Sequence, residues 1–81
     1  DTQPALSSQE ERELRKRMNA LERKIAKEDE RAAALEAEIA ALSEAGDFEA
    51  IGAKTKELSA ARGAREEYEM EWLELGERLE G

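Results

Sequence analysis

Residues 14–42 read LRKRMNALERKIAKEDERAAALEAEIAAL, and apolar side chains recur along this stretch at spacings that alternate between four and three residues. The recurring positions are Leu14, Met18, Leu21, Ile25, Glu28, Ala32, Leu35, Ile39 and Leu42. This alternation is the heptad pattern of a coiled-coil helix, interrupted once by the carboxylate of Glu28. The stretch therefore predicts a long helix, called helix 1, whose apolar side packs against a partner helix.

The ends of this helix are marked by capping residues. Ser8, followed three residues later by Glu11, matches a capping box, and Gly46 can end a helix in the left-handed conformation. Asp47 can then cap a second helix. We predict a flexible linker over residues 1–7, helix 1 over about 8–45, a turn at 46–47 and helix 2 over about 48–80.

Helix 2 carries a less regular apolar track. Its positions are Phe48, Ile51, Thr55, Leu58, Ala61, Arg65, Tyr68, Trp72, Leu75 and Leu79. The two successive three-residue steps around Leu58 predict a stammer, which overwinds a coiled coil locally. A turn this short makes the helices antiparallel, with Leu42 facing Phe48. The predicted fold is an all-α antiparallel two-helix coiled-coil hairpin.

Polar residues interrupt both tracks at the same level of this hairpin. Glu28 interrupts helix 1, and Arg62 or Arg65 lies across from it on helix 2. We predict an ion pair between Glu28 and one of these arginines. Such a pair would align the helices more than it stabilises them, because desolvation offsets much of its attraction.

Composition excludes most catalytic chemistry. The 81 residues include no His and no Cys, so the chain offers no imidazole base, no thiolate and none of the usual zinc ligand sets. No catalytic residue, metal site or cofactor site is predicted, and the chain is not expected to be an enzyme. No run of apolar residues could span a bilayer, so no membrane contact and a soluble chain are expected.

The distribution of charge along the sequence indicates which kinds of partner the chain could bind. The formal net charge of −8 disfavours attraction to phosphates over the whole surface. Helix 1 nevertheless has a local excess of cations, and some of these face helix 2. Ion pairs across the edges of the seam are expected between Arg17 and Glu71 and between Asp29 and Arg62. Four others form one stripe that points away from helix 2, with Lys24 and Arg31 beside it. The four are Arg12, Lys16, Arg23 and Lys27.

Two interpretations of this stripe remain open: a surface that contacts phosphates, and a solvated helix face. A second outward feature is Met70 with Leu73 on helix 2, which is either a small docking patch or scattered surface residues. The thin apolar seam suggests that stability depends on a neighbouring domain or on dimerisation.

The hairpin resembles the Uup-type C-terminal coiled-coil domain of ABC-F ATPases over roughly residues 6–80. The resemblance rests on Leu6-Ser7 leading into Arg12-Glu13-Leu14, the run Ala34-Leu35-Glu36-Ala37-Glu38-Ile39-Ala40-Ala41-Leu42, Phe48, Leu58, and Glu71-Trp72-Leu73-Glu74-Leu75. The chain departs from the family pattern at Ser8, where an aromatic residue is usual, and at Glu71, where a basic residue is usual.

The resemblance implies a cytoplasmic protein in which two upstream cassettes bind and hydrolyse ATP. The hairpin would then be a tail that contacts those cassettes and binds DNA, RNA or the ribosome weakly and in a salt-sensitive way. Carried over to this sequence, the nucleic-acid site is Arg12, Lys16, Arg23, Lys24, Lys27 and Arg31. The alternatives are a spacer or protein-docking coiled coil without nucleic-acid contact, and a hairpin arm like that of a tRNA synthetase.

Overall fold

The computed structural model describes residues 6–81, which form two long α helices joined by a short turn. Helix α1 spans Ser8–Ala45, helix α2 spans Phe48–Glu80, and the two pack antiparallel along their lengths. The Cα atoms extend over 62 × 21 × 13 Å, as expected for a rod two helices wide. The predicted all-α antiparallel hairpin is confirmed, while residues 1–5 of the predicted linker lie outside the described residues.

The cap of α1 lies one residue earlier than predicted. The Ser7 hydroxyl accepts from the Glu10 N–H at 3.1 Å, and Glu10 Oε1 accepts from the Ser7 N–H at 2.9 Å. The hydrogen bond from the Ser7 backbone holds the pKa of Glu10 below its ordinary value. Because the sequence repeats both residue types, Ser8 with Glu11 has the same spacing as the pair that forms the cap, and spacing alone could not separate them.

The turn between the helices has the predicted chemistry. Gly46 adopts φ 76°, in the left-handed region where glycine costs least, and its N–H donates to the carbonyls of Leu42 and Ser43. Asp47 then caps α2, since its Oδ1 accepts from the Ala50 N–H at 3.2 Å. The direct succession of these two caps reverses the chain within two residues and positions α2 alongside α1.

The seam of α1 follows the predicted track throughout. All nine positions are buried or half-buried, and Leu21 and Leu35 are the most enclosed, at 0% and 4% exposed. Packing these leucines against α2 removes apolar surface from water, which is the main stabilising contribution for a helix pair.

The seam of α2 differs from the predicted track near the turn. Its buried and half-buried heptad positions are Ile51, Lys54, Leu58, Ala61, Arg65, Tyr68, Trp72, Leu75 and Leu79. These spacings alternate between three and four without interruption, so the predicted stammer is absent. Phe48 is 76% exposed, and Thr55 is exposed with its hydroxyl donating to the Ile51 carbonyl at 2.8 Å. Both assignments to the seam were wrong.

The position of Lys54 explains why the seam of α2 differs from the predicted track. Its side chain is half-buried in the seam, and its Nζ lies 3.0 Å from Glu38 Oε1 at the edge of the helix pair. A lysine can lay its aliphatic stem against apolar surface while its ammonium group reaches a carboxylate. The two seams then match position for position when Leu42 faces Ile51, which is three residues further along α2 than the predicted partner Phe48.

A pair of alanine substitutions tests this register. Phe48→Ala should change the free energy of unfolding by less than about 0.5 kcal/mol, because the ring is solvent-exposed. Ile51→Ala should lower it by about 1–2 kcal/mol, since Ile51 is half-buried between the helices. Thermal unfolding followed by circular dichroism measures both. A greater loss of stability for Phe48→Ala than for Ile51→Ala would instead favour the register in which Leu42 faces Phe48.

Candidate nucleic-acid interface

Seven of the eight cations of α1 divide into two sets, and the first set belongs to the hairpin; the eighth, Arg15, lies 4.0 Å from Glu11 on its own helix. Arg17, Lys24 and Arg31 recur every seven residues along one edge of the seam. Their partners on α2 are Glu71, the ring of Tyr68 and Glu57, in that order. Arg17 makes the closest contacts, two hydrogen bonds of 2.7 and 2.9 Å, whereas Lys24 Nζ lies 5.4 Å from the ring centroid and Arg31 lies 3.8 Å from its carboxylate.

The opposite edge of the seam has the reverse polarity. Glu22, Asp29 and Glu36, again seven residues apart, accept hydrogen bonds from α2. Their donors are Trp72 Nε1 at 3.0 Å, Arg65 Nε at 2.6 Å and Arg62 Nη2, respectively. Three of the four α1 residues on each edge share one sign, with Glu38 and Arg15 as the exceptions, and this arrangement favours the antiparallel alignment that is observed.

The predicted ion pair of Glu28 does not form. Arg65 binds Asp29 and also Glu69, at 2.7 Å, while Arg62 binds Glu36. Glu28 Oε1 is buried and has no hydrogen-bond partner among residues 6–81. The prediction was wrong because both guanidinium groups reach carboxylates at the edge of the seam, where the charges remain partly hydrated and desolvation costs less than inside it.

The second set of cations faces away from α2. Arg12, Lys16, Arg23 and Lys27 are exposed, and within residues 6–81 none has a carboxylate oxygen within 4.0 Å. At 100° per residue they lie within about 60° of one another around α1, and at 1.5 Å per residue they span about 22 Å. We call these four residues the basic stripe. Of the six predicted nucleic-acid-binding residues, Lys24 and Arg31 lie outside it and contact α2 instead.

No side chain of α2 approaches the basic stripe, because the stripe lies opposite the seam. The residues between its two halves on the same face are Asn19 and Ala20, neither of which is charged. Glu30 is the first carboxylate on this face beyond Lys27. The stripe is therefore a mainly cationic surface, bordered by the exposed carboxylate of Glu13 beside Arg12 and Lys16 and by that of Glu30 beyond Lys27.

The predicted docking patch lies on the other helix. Met70 is 61% and Leu73 is 47% exposed. Leu73 also borders a shallow groove of about 430 Å³ that is lined by Met18, Trp72 and Gly76 as well. The patch is exposed as predicted, and it is separated from the basic stripe by the full width of the hairpin.

Two other kinds of site are absent from residues 6–81. Within residues 6–81, no group of three or more acidic side chains is placed to hold a metal ion. In that same part of the chain, neither helix has a window of sufficient length and hydropathy to cross a membrane. The basic stripe and the patch around Met70 are thus the two surface features that call for a functional explanation.

The Arg17–Glu71 pair makes a pH-dependent contribution to stability. Hydrogen bonds from Arg17 hold the pKa of Glu71 below its ordinary value of 4.5. A depressed pKa stabilises the folded state above that ordinary value, and this stabilisation is lost as pH falls through the folded pKa. Glu71→Gln should therefore melt at a lower temperature than the unmodified protein at pH 7, and the difference should vanish in acid.

Glu74→Gln is the matched control, because Glu74 is exposed and makes no ion pair within residues 6–81. It should melt close to the unmodified protein at both pH values. A difference between Glu71→Gln and the unmodified protein that persists unchanged at pH 3 would show that the Arg17 contact is not its cause.

Comparisons with known proteins assign no family. No protein-family model matches the chain, and no curated protein or solved structure matches it significantly. The fold and the distribution of charge on its surface therefore carry the functional argument.

Proposed function

We propose that this hairpin binds nucleic acid through the basic stripe. The observation that carries the proposal is that four cations share one face of α1 and have no carboxylate within 4.0 Å among residues 6–81. The other three cations described above engage α2 and are not available in the same way. A cation that has no ion pair within the hairpin can neutralise a phosphate without first breaking such a pair, and the counterions of that phosphate are then released.

The geometry favours contact with the phosphate backbone rather than with bases. A rigid stripe about 22 Å long matches several phosphates of a duplex, whose strands carry one charge per 3.4 Å of axis. The aromatic residues do not support base stacking at this face, because Tyr68 and Trp72 are half-buried in the seam of α2. Binding should consequently be independent of base sequence, and double-stranded nucleic acid should be a sufficient ligand.

The net charge of −8 limits the affinity but does not prevent binding. Four exposed carboxylates, those of Glu66, Glu67, Glu74 and Glu77, lie on the outer side of α2, across a molecule 21 Å wide. At physiological ionic strength the Debye length is about 8 Å, so repulsion from that side is largely screened at the basic stripe. At low salt, both the repulsion between α2 and the phosphates and the attraction between the basic stripe and the phosphates become stronger. We therefore propose that binding is weak and that its affinity depends on salt concentration.

The proposed context is the C-terminal tail of an ABC-F ATPase, and the support for it is the sequence resemblance described above. In that context the cassettes bind ATP, and the hairpin holds no cofactor and catalyses no reaction. Its partners would be DNA, RNA or the ribosome together with the protein's own cassettes, in the cytoplasm. Glu71, where the family usually has a basic residue, pairs with Arg17, so this departure contributes to the hairpin.

Charge reversal within the basic stripe tests the proposal. Lys16→Glu combined with Arg23→Glu should weaken binding of the 81-residue chain to a labelled 20-base-pair DNA or RNA duplex by at least tenfold at 50 mM salt. Fluorescence anisotropy measures the affinity. The control combines Lys56→Glu with Arg78→Glu, two exposed positions outside the stripe that produce the same change of net charge.

The control should lose much less affinity than the variant in the stripe. Equal losses would mean that net charge alone governs binding, and no binding by the unmodified chain would reject the proposal. The exposed Met70 favours a second candidate, a protein-docking coiled coil without nucleic-acid contact. That function predicts no measurable affinity for either duplex.

A further inference from the structure

Exposed apolar side chains lie on the outward side of α2, near the open end of the hairpin. Met70 is 61% and Leu73 is 47% exposed, and a spacing of three residues makes them neighbours on the helix surface. Leu73 also lines the shallow groove of about 430 Å³ between the two helices, together with Met18, Trp72 and Leu79. The apolar surface therefore continues from Met70 through Leu73 into this groove.

Carboxylates surround this apolar surface. Those on the outward side of α2 or along the groove are Glu66, Glu67, Glu74, Glu77 and Glu80. All five are exposed, and none makes an ion pair within residues 6–81. Among the same residues, Arg15 is the one cation that lines the groove, and Arg78 lies about 140° around α2 from Leu73. We call Met70, Leu73 and the five carboxylates the acidic face.

A second copy of this chain has no surface that fits the acidic face. Its unpaired cations on α1 form the basic stripe, and the residues inside that stripe are Asn19 and Ala20, so no large apolar side chain accompanies them. Two copies with a net charge of −8 each also repel one another. The acidic face therefore fits a partner of different chemistry, one that presents cations and large apolar side chains together.

We propose that the acidic face binds a cationic amphipathic helix of another protein. Such a helix carries apolar anchors at spacings of three and four residues on one side, and its lysines and arginines flank them. The anchors would enter the groove beside Trp72 and cover Met70, whose flexible side chain adapts to the shape of a partner. The cations would reach the five carboxylates, which extend over about 21 Å of α2, or about four turns.

A third helix in this position would thicken a seam that is only one side chain deep. Met18 and Trp72 are half-buried at the open end, so a helix laid in the groove would remove more of their surface from water. The acidic face lies on α2, whereas the basic stripe lies on the outward side of α1. The docking of a helix and the binding of nucleic acid therefore do not depend on each other.

Two designed peptides and the fluorescence of Trp72 test this inference. The first peptide has 18 residues, all leucine or lysine, with the leucines at spacings of three and four so that they share one face of a helix. The second has the same composition in an order that spreads leucine around the helix. Trp72 is the only tryptophan of the 81 residues and lines the groove, so its emission reports on docking there. At 100 mM salt the first peptide should shift this emission to shorter wavelength at micromolar concentration, and the second should bind at least tenfold more weakly.

Substitutions locate the binding surface. Met70→Ser combined with Leu73→Ser should weaken binding at least tenfold, whereas Phe48→Ser, which removes a ring that is 76% exposed near the turn, should weaken it less than twofold. Glu74→Lys combined with Glu77→Lys should also weaken binding at least tenfold. The matched control, Glu30→Lys combined with Glu44→Lys, produces the same change of net charge at exposed positions of α1 and should weaken binding less than threefold.

Four results would each overturn the inference. They are an unchanged Trp72 emission with the first peptide at millimolar concentration, equal affinities for the two peptides, losses in the control variants as large as those in the acidic face, and self-association of the unmodified chain that Leu73→Ser abolishes. The last result, measured by sedimentation velocity, would mean that a second copy covers the face. Circular dichroism establishes that the helices of each variant are intact, and the comparison of the two peptides requires no substitution.

Discussion

Replacing Leu21 by alanine should lower the free energy of unfolding by about 3 kcal/mol. Leu21 is fully buried between the helices, and truncation of a buried leucine removes its transfer free energy and leaves a cavity that the surroundings fill only in part. The seam is a single layer of side chains, so few other contacts can compensate. For a chain of this size the loss corresponds to a fall in melting temperature of more than about 10 °C.

Leu73→Ala is the matched control for this substitution. Leu73 is 47% exposed on the outward side of α2, and alanine has the higher helix propensity. Its free energy of unfolding should change by less than about 1 kcal/mol, as measured by urea titration followed by circular dichroism. Similar losses for the two variants would indicate that Leu21 is not enclosed between the helices in solution.

Replacing Glu28 by leucine should stabilise the hairpin by about 1–3 kcal/mol. Glu28 occupies a seam position between Leu21 and Leu35, and its buried Oε1 has no hydrogen-bond partner among the described residues. An unsatisfied buried polar atom costs about that much, and leucine would continue the apolar seam. The substitution leaves no orphaned cation, because Arg65 keeps its contacts with Asp29 and Glu69.

Glu30→Leu provides the control, because Glu30 is exposed on the outward side of α1. Its free energy of unfolding should change by less than about 0.5 kcal/mol. The comparison is made by thermal unfolding at pH 7. A Glu28→Leu protein that is less stable than the unmodified protein would mean that the Glu28 carboxylate has a favourable interaction in solution.

The sequence was sufficient to predict α1, the turn and the antiparallel arrangement. The heptad spacing of α1 is regular, and Gly46 followed by Asp47 identifies the turn by the separate conformational roles of the two residues. The seam of α2 could not be read in the same way near the turn. There the apolar Phe48 lies outside the seam and the charged Lys54 lies within it, because the lysine stem packs while its ammonium group reaches Glu38.

The candidate site was predictable in part. Helical spacing was enough to place the basic stripe on the side of α1 away from the seam. It could not show that Lys24 lies over the ring of Tyr68 or that Arg31 reaches Glu57, since those contacts depend on the register between the helices. The prediction for Glu28 failed for a different reason: Arg65 lies across from Glu28 in the observed register, but its guanidinium group binds Asp29 and Glu69 at the edge of the seam.

The proposed contact between phosphates and the four cations of the basic stripe is tested by the salt dependence of duplex binding. The equilibrium constant of the unmodified chain for a 20-base-pair duplex would be measured by fluorescence anisotropy between 50 and 200 mM salt. With about 0.9 counterions released per neutralised phosphate, we expect a slope of about −3 to −4 in a plot of log K against log salt concentration. A slope near zero, or no binding at 50 mM salt, would contradict it.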